Sequence, residues 1–89
     1  MAKKRDRLEI IKDILEVINS SRGVKPTRLL YSSNLSPQMF KNYVNELKKK
    51  SLIEEIKEKK GKIFVLTLKG SEFLREYRTF SNFIREFGL

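Results

Sequence analysis

The sequence contains no cysteine, no histidine and no tryptophan among its 89 residues. Their absence excludes zinc fingers, disulfides, thiol nucleophiles and Ser-His-Asp triads. The chain also lacks a run of roughly 20 apolar residues, which a membrane-spanning helix needs, and its basic N-terminus is not followed by the apolar core of a secretion signal. The composition therefore predicts one small, soluble, cytoplasmic domain with a modest core.

The first predicted helix carries four acidic residues at spacings that resemble a metal site: Asp6, Glu9, Asp13 and Glu16. Pairing with neighbouring cations, such as Arg5 and Lys12, explains these positions better. A catalytic carboxylate would also need a cleft that shifts its pKa, and so small a chain shows no sign of one. We therefore predict no enzymatic activity, no metal or other cofactor, no small-molecule substrate and no membrane partner.

The positive charge is concentrated in the middle of the chain. The formal net charge is +9, and residues 23–50 carry six basic residues against one acidic residue, whereas residues 71–89 carry three of each. A uniformly basic surface would be typical of solubility or thermophily alone. The uneven distribution instead predicts a polyanion-binding face and a separate neutral face with another role.

Apolar residues recur at helical spacing from about Asp6 to Ser20 and predict a first helix there. Asp6 and Glu9 have the spacing of a capping box at its start. After this helix, Gly23 is placed to leave it in the left-handed conformation.

Two further helices follow with only a short turn between them. Pro26 opens a brief helix that ends near Ser32. A second helix has Ser36 as its N-cap and Pro37 as its first residue, and it runs to about Lys50. The apolar stripe of this second helix consists of Phe40, Tyr43, Val44 and Leu47. A short helix, a turn and a capped helix together predict a helix-turn-helix.

A hairpin and a last helix complete the order of elements. Two β-rich runs, residues 52–56 and 63–66, flank a charged loop in which Gly61 supplies the positive φ. Thr67 then caps a helix that runs from Leu68 to about Phe87.

The ordered motifs resemble archaeal winged-helix proteins, in particular the small basic DNA-binding 10a family of Sulfolobus chromatin-type proteins. The motifs are Lys25-Pro-Thr-Arg-Leu-Leu-Tyr-Ser-Ser-Asn-Leu-Ser36, Tyr43-x3-Leu47, Leu52-Ile53 and Phe64-Val-Leu-Thr-Leu-Lys-Gly70. The resemblance implies an α+β, mainly α, winged helix-turn-helix that binds duplex DNA and whose last helix forms an antiparallel coiled coil with a two-fold mate. On this basis residues 1–67 form the DNA-binding domain and residues 68–89 the dimerisation helix, which is shorter than the arm typical of that family.

The solvent side of the capped helix is the predicted recognition face. We assign to it Ser36, Gln38, Lys41, Asn42, Asn45, Lys48 and Lys49. Amide side chains bond bidentately to adenine, and lysines contact guanine or phosphate. Any surface helix has an exposed polar face, but such a face usually mixes charges of both signs, and here Glu46 is the only acid. The composition favours a recognition helix.

Three other basic segments are candidates for contacts with the DNA backbone. Thr27 and Arg28 begin the short helix, where free N–H groups bind phosphate, although a plain cap and a salt bridge are the alternatives. The hairpin loop contributes Lys57, Lys59, Lys60 and Lys62, which alternatively only prevent strand edges from pairing. The N-terminal residues Lys3, Lys4, Arg5 and Arg7 form a candidate basic arm.

The last helix carries a predicted dimer interface made of Phe73, Tyr77, Phe80, Phe83, Ile84 and Phe87. All but Phe83 are spaced four, three, four and three residues apart, which is a heptad seam. The alternative is an amphipathic helix folded back on its own domain. Bulky aromatic residues in a segment without net charge favour a homodimer, because they would otherwise form a large exposed patch.

The sequence thus predicts a homodimeric, nucleoid-associated protein that binds double-stranded DNA and organises the chromosome or regulates transcription. A winged helix used as a protein–protein module is the alternative, but such modules often lose the basic face. RNA binding would need exposed aromatic residues on a sheet, and binding to a membrane surface would need a cationic last helix.

Overall fold

A computed structural model of the protein describes residues 6–89. The elements are α1 (Arg7–Asn19), α2 (Pro26–Ser33), α3 (Pro37–Lys49), β1 (Ile53–Glu58), β2 (Gly61–Leu66) and α4 (Leu68–Glu86). The two strands pair as an antiparallel hairpin, and Val24 adds an isolated bridge to Phe64. This order confirms the predicted α+β, mainly α, winged helix-turn-helix architecture. We call the hairpin, residues 53–66, the wing.

The predicted helix starts carry the expected caps. The Asp6 carboxylate accepts a hydrogen bond from the Glu9 N–H at 2.8 Å, and the Glu9 side chain reaches back to the Asp6 N–H. Ser36 accepts from the Met39 N–H at 3.2 Å. Thr67 caps α4 in the same way. Each cap satisfies a backbone donor that the helix itself leaves free, so these boundaries follow from local chemistry.

The prediction that Gly23 leaves α1 in a left-handed conformation was wrong. Ser20, the C-cap, is right-handed, and the glycines with positive φ are Gly61 and Gly88 among the described residues. Gly23 lies close to the wing instead: a Cβ there would lie 2.6 Å from Cδ1 of Ile63, so that this side chain would have to shift. The chain must pass close to β2 at this point for its backbone to form the isolated bridge.

The wing is longer, and its turn shorter, than the sequence predicted. Strand β1 continues to Glu58 and β2 begins at Gly61, so that only residues 59–60 form the turn and Lys57 pairs with Lys62. Charged residues extend the strands because both side chains of such a pair reach solvent while the backbone ladder continues. Gly61 has φ +131°, which confirms its predicted role in the turn.

The core lies around α1, which packs against α2, α4 and β2. Its buried side chains are Ile10, Ile11, Ile14, Leu15, Ile18, Val24, Leu29, Val44, Leu47, Leu52, Ile53, Phe64 and Leu74. Each such side chain contributes about 1.5–3 kcal/mol when fully buried. Because α3 packs on α2 and on β1, the core holds the recognition helix and the wing next to each other.

Helix α4 closes the domain and ends in solvent. Its first turn packs on the backbone of Leu52, where the Thr67 hydroxyl donates to the carbonyls of Ser51 and Leu52. It ends at Glu86, and Gly88 just beyond it has φ +76°. Within the described part of the chain, no helix has both the length and the apolar character for crossing a bilayer.

Candidate nucleic-acid interface

Helix α3 is divided into a buried side and an exposed side, as the sequence predicted. Val44 and Leu47 are buried, and Phe40 and Tyr43 pack against the core. The residues of the predicted recognition face are all exposed: Ser36, Gln38, Lys41, Asn42, Asn45, Lys48 and Lys49. The structure therefore brings these side chains together on one accessible surface, and their contacts with DNA stay a prediction.

Two amide side chains of the recognition face hold each other in position through a hydrogen bond. The Nε2 of Gln38 donates to the Oδ1 of Asn42 at 3.2 Å, one helical turn away. This bond leaves the Gln38 carbonyl oxygen as an acceptor and the Asn42 amino group as a donor, the combination that an adenine edge requires. Neither Lys41 nor Asn45 has a side-chain bond to another residue of 6–89, so both are available to a ligand.

Glu46, the single acid of α3, is neutralised within the fold. The guanidinium of Arg7 donates a hydrogen bond to its carboxylate, and Nζ of Lys50 lies 3.2 Å from the same group. These two cations lower the pKa of Glu46 to about 2. Arg7 also lies 6.0 Å from the centre of the Tyr43 ring. Arg7 is therefore part of α1 and not of a basic arm, whereas Lys3, Lys4 and Arg5 lie outside the described residues.

The start of α2 exposes Thr27 and Arg28. Thr27 follows Pro26 inside the helix and is not its cap, and the N-cap Lys25 makes no side-chain hydrogen bond to the helix. Arg28 has no ion pair with any residue between 6 and 89. Within residues 6–89, neither the cap nor the salt bridge is found, so the first-turn N–H groups lack a side-chain cap and can donate hydrogen bonds to a phosphate.

The wing presents all four predicted lysines to solvent. Lys57 and Lys62 lie opposite each other on the two strands, and Lys59 and Lys60 form the turn. Like charges on directly opposed residues repel each other. A polyanion at the wing relieves that repulsion, which supports the predicted backbone contact.

One residue that the sequence did not predict is Glu55 of the wing, whose side chain contacts α3. Its Oε1 accepts a hydrogen bond from Nζ of Lys48 at 2.9 Å and lies 3.4 Å from Nζ of Lys62. The hydrogen bond from Lys48 and the charges of both lysines lower the pKa of Glu55, although partial desolvation opposes them. Strand alternation was the available signal, because Glu55 is paired with the buried Phe64 and shares its face of the sheet.

A cleft of about 280 Å³ separates α3 from the wing. Its lining residues are Pro26, Phe40, Lys41, Val44, Asn45, Lys48, Glu55, Lys62 and Phe64. The floor is thus apolar and the rim is polar and mostly basic. Such a cleft can hold an anionic backbone between the helix and the strands.

Of the four acidic residues, Asp13 and Glu16 pair with Lys12 as predicted, whereas Asp6 and Glu9 form the capping box of α1. Lys12 lies 2.9 Å from the Asp13 carboxylate and 3.4 Å from that of Glu16, and Arg78 of α4 donates to Glu16 at 3.3 Å. Within residues 6–89, no three acidic side chains converge as a metal site would require.

The predicted dimer seam of α4 is divided between the core and solvent. Phe73 packs against the core and stacks on Tyr77 with ring centres 6.2 Å apart. Phe80, Phe83 and Phe87 are instead 64%, 53% and 63% exposed. We call these three residues the phenylalanine patch. The first half of α4 therefore completes the domain, whereas its second half leaves aromatic side chains in solvent.

The remaining seam residues lie at the edge of the patch. Tyr77 and Ile84 are half-buried, and together with Phe80 and the exposed Leu8 of α1 they line a groove between α1 and α4. The apolar surface of α4 thus continues onto α1.

Comparison with solved structures shows the same architecture in other proteins. The crystal structure of Sso10a-2, a DNA-binding protein from Sulfolobus solfataricus, superimposes with a TM-score of 0.75 at 28% identity and covers 92% of this chain and 83% of that one. The transcriptional regulator Tm0710 from Thermotoga maritima is similar with a TM-score of 0.73 at 20% identity, over 88% of this chain and 58% of that one. The second likeness concerns the fold alone.

Sequence comparison identifies a relative and a family for this chain. An uncharacterized protein of Methanocaldococcus jannaschii, MJ0290, is 33% identical over 73 residues, which are 82% of this chain and 32% of that protein. The chain thus spans about a third of the length of this relative. A family model described as "Winged helix-turn-helix" matches residues 4–85, nearly the whole chain. The chain belongs to the winged helix-turn-helix family.

Proposed function

We propose that this protein binds double-stranded DNA, without enzymatic activity, through α3, the start of α2 and the wing. The observation that carries the proposal is the recognition face: amides and lysines share one exposed side of α3, while Glu46, its only acid, is held by Arg7 and Lys50. A polyanion therefore meets donors and positive charge on this side of the helix.

Helix α3 enters the major groove, which is wide enough for a helix. Gln38, Asn42 and Asn45 face the base edges, and the lysines of the same face contact bases or phosphates. Phosphate contacts provide most of the affinity, and the amides add a modest sequence preference.

The start of α2 and the wing contact the sugar-phosphate backbone on either side of α3. The uncapped first turn of α2, with Thr27 and Arg28, receives a phosphate. The wing turn, with Lys59 and Lys60, reaches the backbone or the edge of the neighbouring groove.

The protein acts as a homodimer whose interface includes the phenylalanine patch. Three exposed aromatic rings on two helical turns are more than a surface helix of a monomer usually shows. A second copy covers them through a two-fold axis and holds two recognition helices at a fixed separation. An antiparallel coiled coil is the geometry that the family resemblance implies. In this arrangement residues 68–89 mediate dimerisation, with Leu74 anchoring α4 to the DNA-binding part, residues 1–67.

The biological role is regulation of transcription or organisation of the chromosome, in association with the nucleoid. The likeness to Sso10a-2, a DNA-binding protein, supports DNA as the partner. A role purely in protein–protein contacts is disfavoured by the basic recognition face, because such a role does not require it.

An electrophoretic mobility shift assay tests this function. A duplex of random sequence, an AT-rich duplex and single-stranded DNA are titrated at 50 and 200 mM salt. We expect binding to both duplexes at low salt, and a loss of roughly a thousandfold in affinity at high salt if about six phosphates are neutralised per dimer. Absence of a duplex complex at 50 mM salt, or affinity independent of salt, contradicts the proposal.

A double Lys59→Ala and Lys60→Ala variant locates the wing in the complex. We expect weaker binding to every duplex and a salt slope that is shallower by up to about two per protomer. A variant with Arg75 and Arg85 of α4 changed to alanine removes the same charge elsewhere and serves as control. Equal effects of both double variants contradict a specific role of the wing.

A further inference from the structure

Two ammonium groups from different elements converge on one carboxylate oxygen in the cleft between α3 and the wing. Lys48 comes from α3 and Lys62 from β2, and their Nζ atoms lie 2.9 and 3.4 Å from the same Oε1 of Glu55. The Glu55 side chain is 23% exposed, which is less than either lysine. The carboxylate therefore lies below the rim of the cleft, with a cation on each side.

A DNA strand also has to cross this cleft. This inference rests on the DNA-binding function proposed above. With α3 in the major groove and the wing turn at the edge of the neighbouring groove, the sugar-phosphate strand that separates the two grooves passes between α3 and the wing. That strand brings phosphate oxygens to the opening of the cleft, where Lys48 and Lys62 lie.

Carboxylate and phosphate oxygens compete for the same donors. Charge-assisted bonds from lysine ammonium groups form with either anion, and Lys41 and Asn45 on the same rim add further donors. Pro26, at the uncapped start of α2, also borders the cleft. The surroundings thus suit a phosphate group, while the anion present in the free protein is Glu55.

We propose that this cleft is a subsite for one backbone phosphate of DNA, and that Glu55 occupies it in the free protein and must be displaced from Lys48 and Lys62. Glu55 acts as an internal competitor. It lowers the affinity for duplexes of every sequence, because the displaced contacts are with the backbone and not with bases.

The variant Glu55→Gln tests the proposal, with Glu54→Gln as its matched control. Both remove one negative charge from β1, but Glu54 is exposed on the opposite face of the strand and forms no ion pair within residues 6–89. The measurement is the duplex dissociation constant from 50 to 200 mM salt. We expect Glu55→Gln to bind roughly fivefold to twentyfold more tightly than Glu54→Gln at 100 mM salt, as two exposed ion pairs no longer have to be broken. The salt slope is expected to steepen by about one per protomer.

Two results overturn the proposal while the DNA-binding function stands. One is equal affinity of the Glu55→Gln and Glu54→Gln proteins. The other is weaker binding by Glu55→Gln than by the wild type, which would make Glu55 a residue that positions the lysines for DNA. A second variant, Glu55→Thr, removes the charge with a residue that favours strands, so that a folding defect of one variant does not decide the outcome. If neither the wild type nor any variant binds a duplex at 50 mM salt, the proposed function itself fails, and this inference with it.

Discussion

The guanidinium of Arg7, the first residue of α1, forms an ion pair with the carboxylate of Glu46 on α3. The two residues are far apart in the sequence, and the pair links the central helix of the core to the recognition helix. It also removes the one negative charge of α3 from the competition with DNA phosphates. The pair therefore contributes both to the stability of the fold and to the electrostatics of the recognition face.

Replacing Glu46 with Gln is expected to lower the melting temperature at neutral pH, because Arg7 and Lys50 lose their partner. The folded-state pKa of Glu46 is about 2, below its usual 4.5. A lowered carboxyl pKa contributes stability above the unfolded pKa, and this contribution is lost as the pH falls toward 2. The difference in melting temperature between wild type and variant should thus be constant above pH 5 and shrink between pH 4.5 and 2.

Circular dichroism melts at pH 7, 4, 3 and 2 measure this difference, with Glu54→Gln as control. A difference that persists unchanged at pH 2 would show that the Arg7–Glu46 pair is not its cause.

Replacing Asn42 with Ala tests base reading by the recognition face. If Asn42 contacts a base, the loss on a preferred duplex is about 1–3 kcal/mol, and other duplexes lose little. Lys49→Ala should instead weaken binding to all sequences alike, because it removes a backbone contact. Fluorescence anisotropy on preferred and scrambled duplexes distinguishes the two, and Asn82→Ala on α4 is the control. Equal loss on every sequence assigns Asn42 to the backbone.

Replacing Gly70 with Ala is expected to destabilise the fold, although alanine is the better helix former. A Cβ at position 70 would lie 2.2 Å from the carbonyl oxygen of Leu52, which is backbone and cannot move aside easily. We expect a loss of roughly 1–3 kcal/mol in the free energy of unfolding. Urea denaturation measures it, and Ser71→Ala, at an exposed neighbouring position, is the control. An unchanged or raised stability contradicts the close packing of α4 on the backbone of Leu52.

Replacing both Phe80 and Phe83 with Asp is expected to yield folded monomers. Both side chains are more than half exposed in the single chain, so the change spares the core. Sedimentation equilibrium should give about twice the chain mass of 10.5 kDa for the wild type and the single mass for the variant. Tyr31→Asp, at a 79% exposed position on α2, should leave the dimer intact. A monomeric wild type at micromolar concentration would falsify the dimer.

The sequence predicted well those elements that are determined by interactions between residues close together in the chain. The Ser36-Pro37 start of α3 and the Thr67 cap of α4 depend on bonds to a backbone group within three residues. The exposed side of α3 follows from helical spacing alone. Such features need no knowledge of which elements pack together.

The features that the sequence did not predict depend on packing between distant elements. The helix exit predicted for Gly23 rests on a common role of glycine, whereas in the structure this residue lies next to the side chain of Ile63 on β2. Glu55 was overlooked because its partners, Lys48 and Lys62, belong to α3 and to the other strand. The sequence alone therefore does not show which lysines are neutralised inside the fold. That requires the position of the wing relative to α3.

The most direct test of the central claim is a titration of ¹⁵N-labelled protein with a short duplex at low salt, followed by amide chemical shifts. The account predicts shifts along the exposed side of α3, at Thr27 and Arg28 and at the wing turn around Lys59, with little change around Phe80 on α4. Shifts confined to α4 or α1, or no shifts at a tenfold excess of duplex, would contradict it.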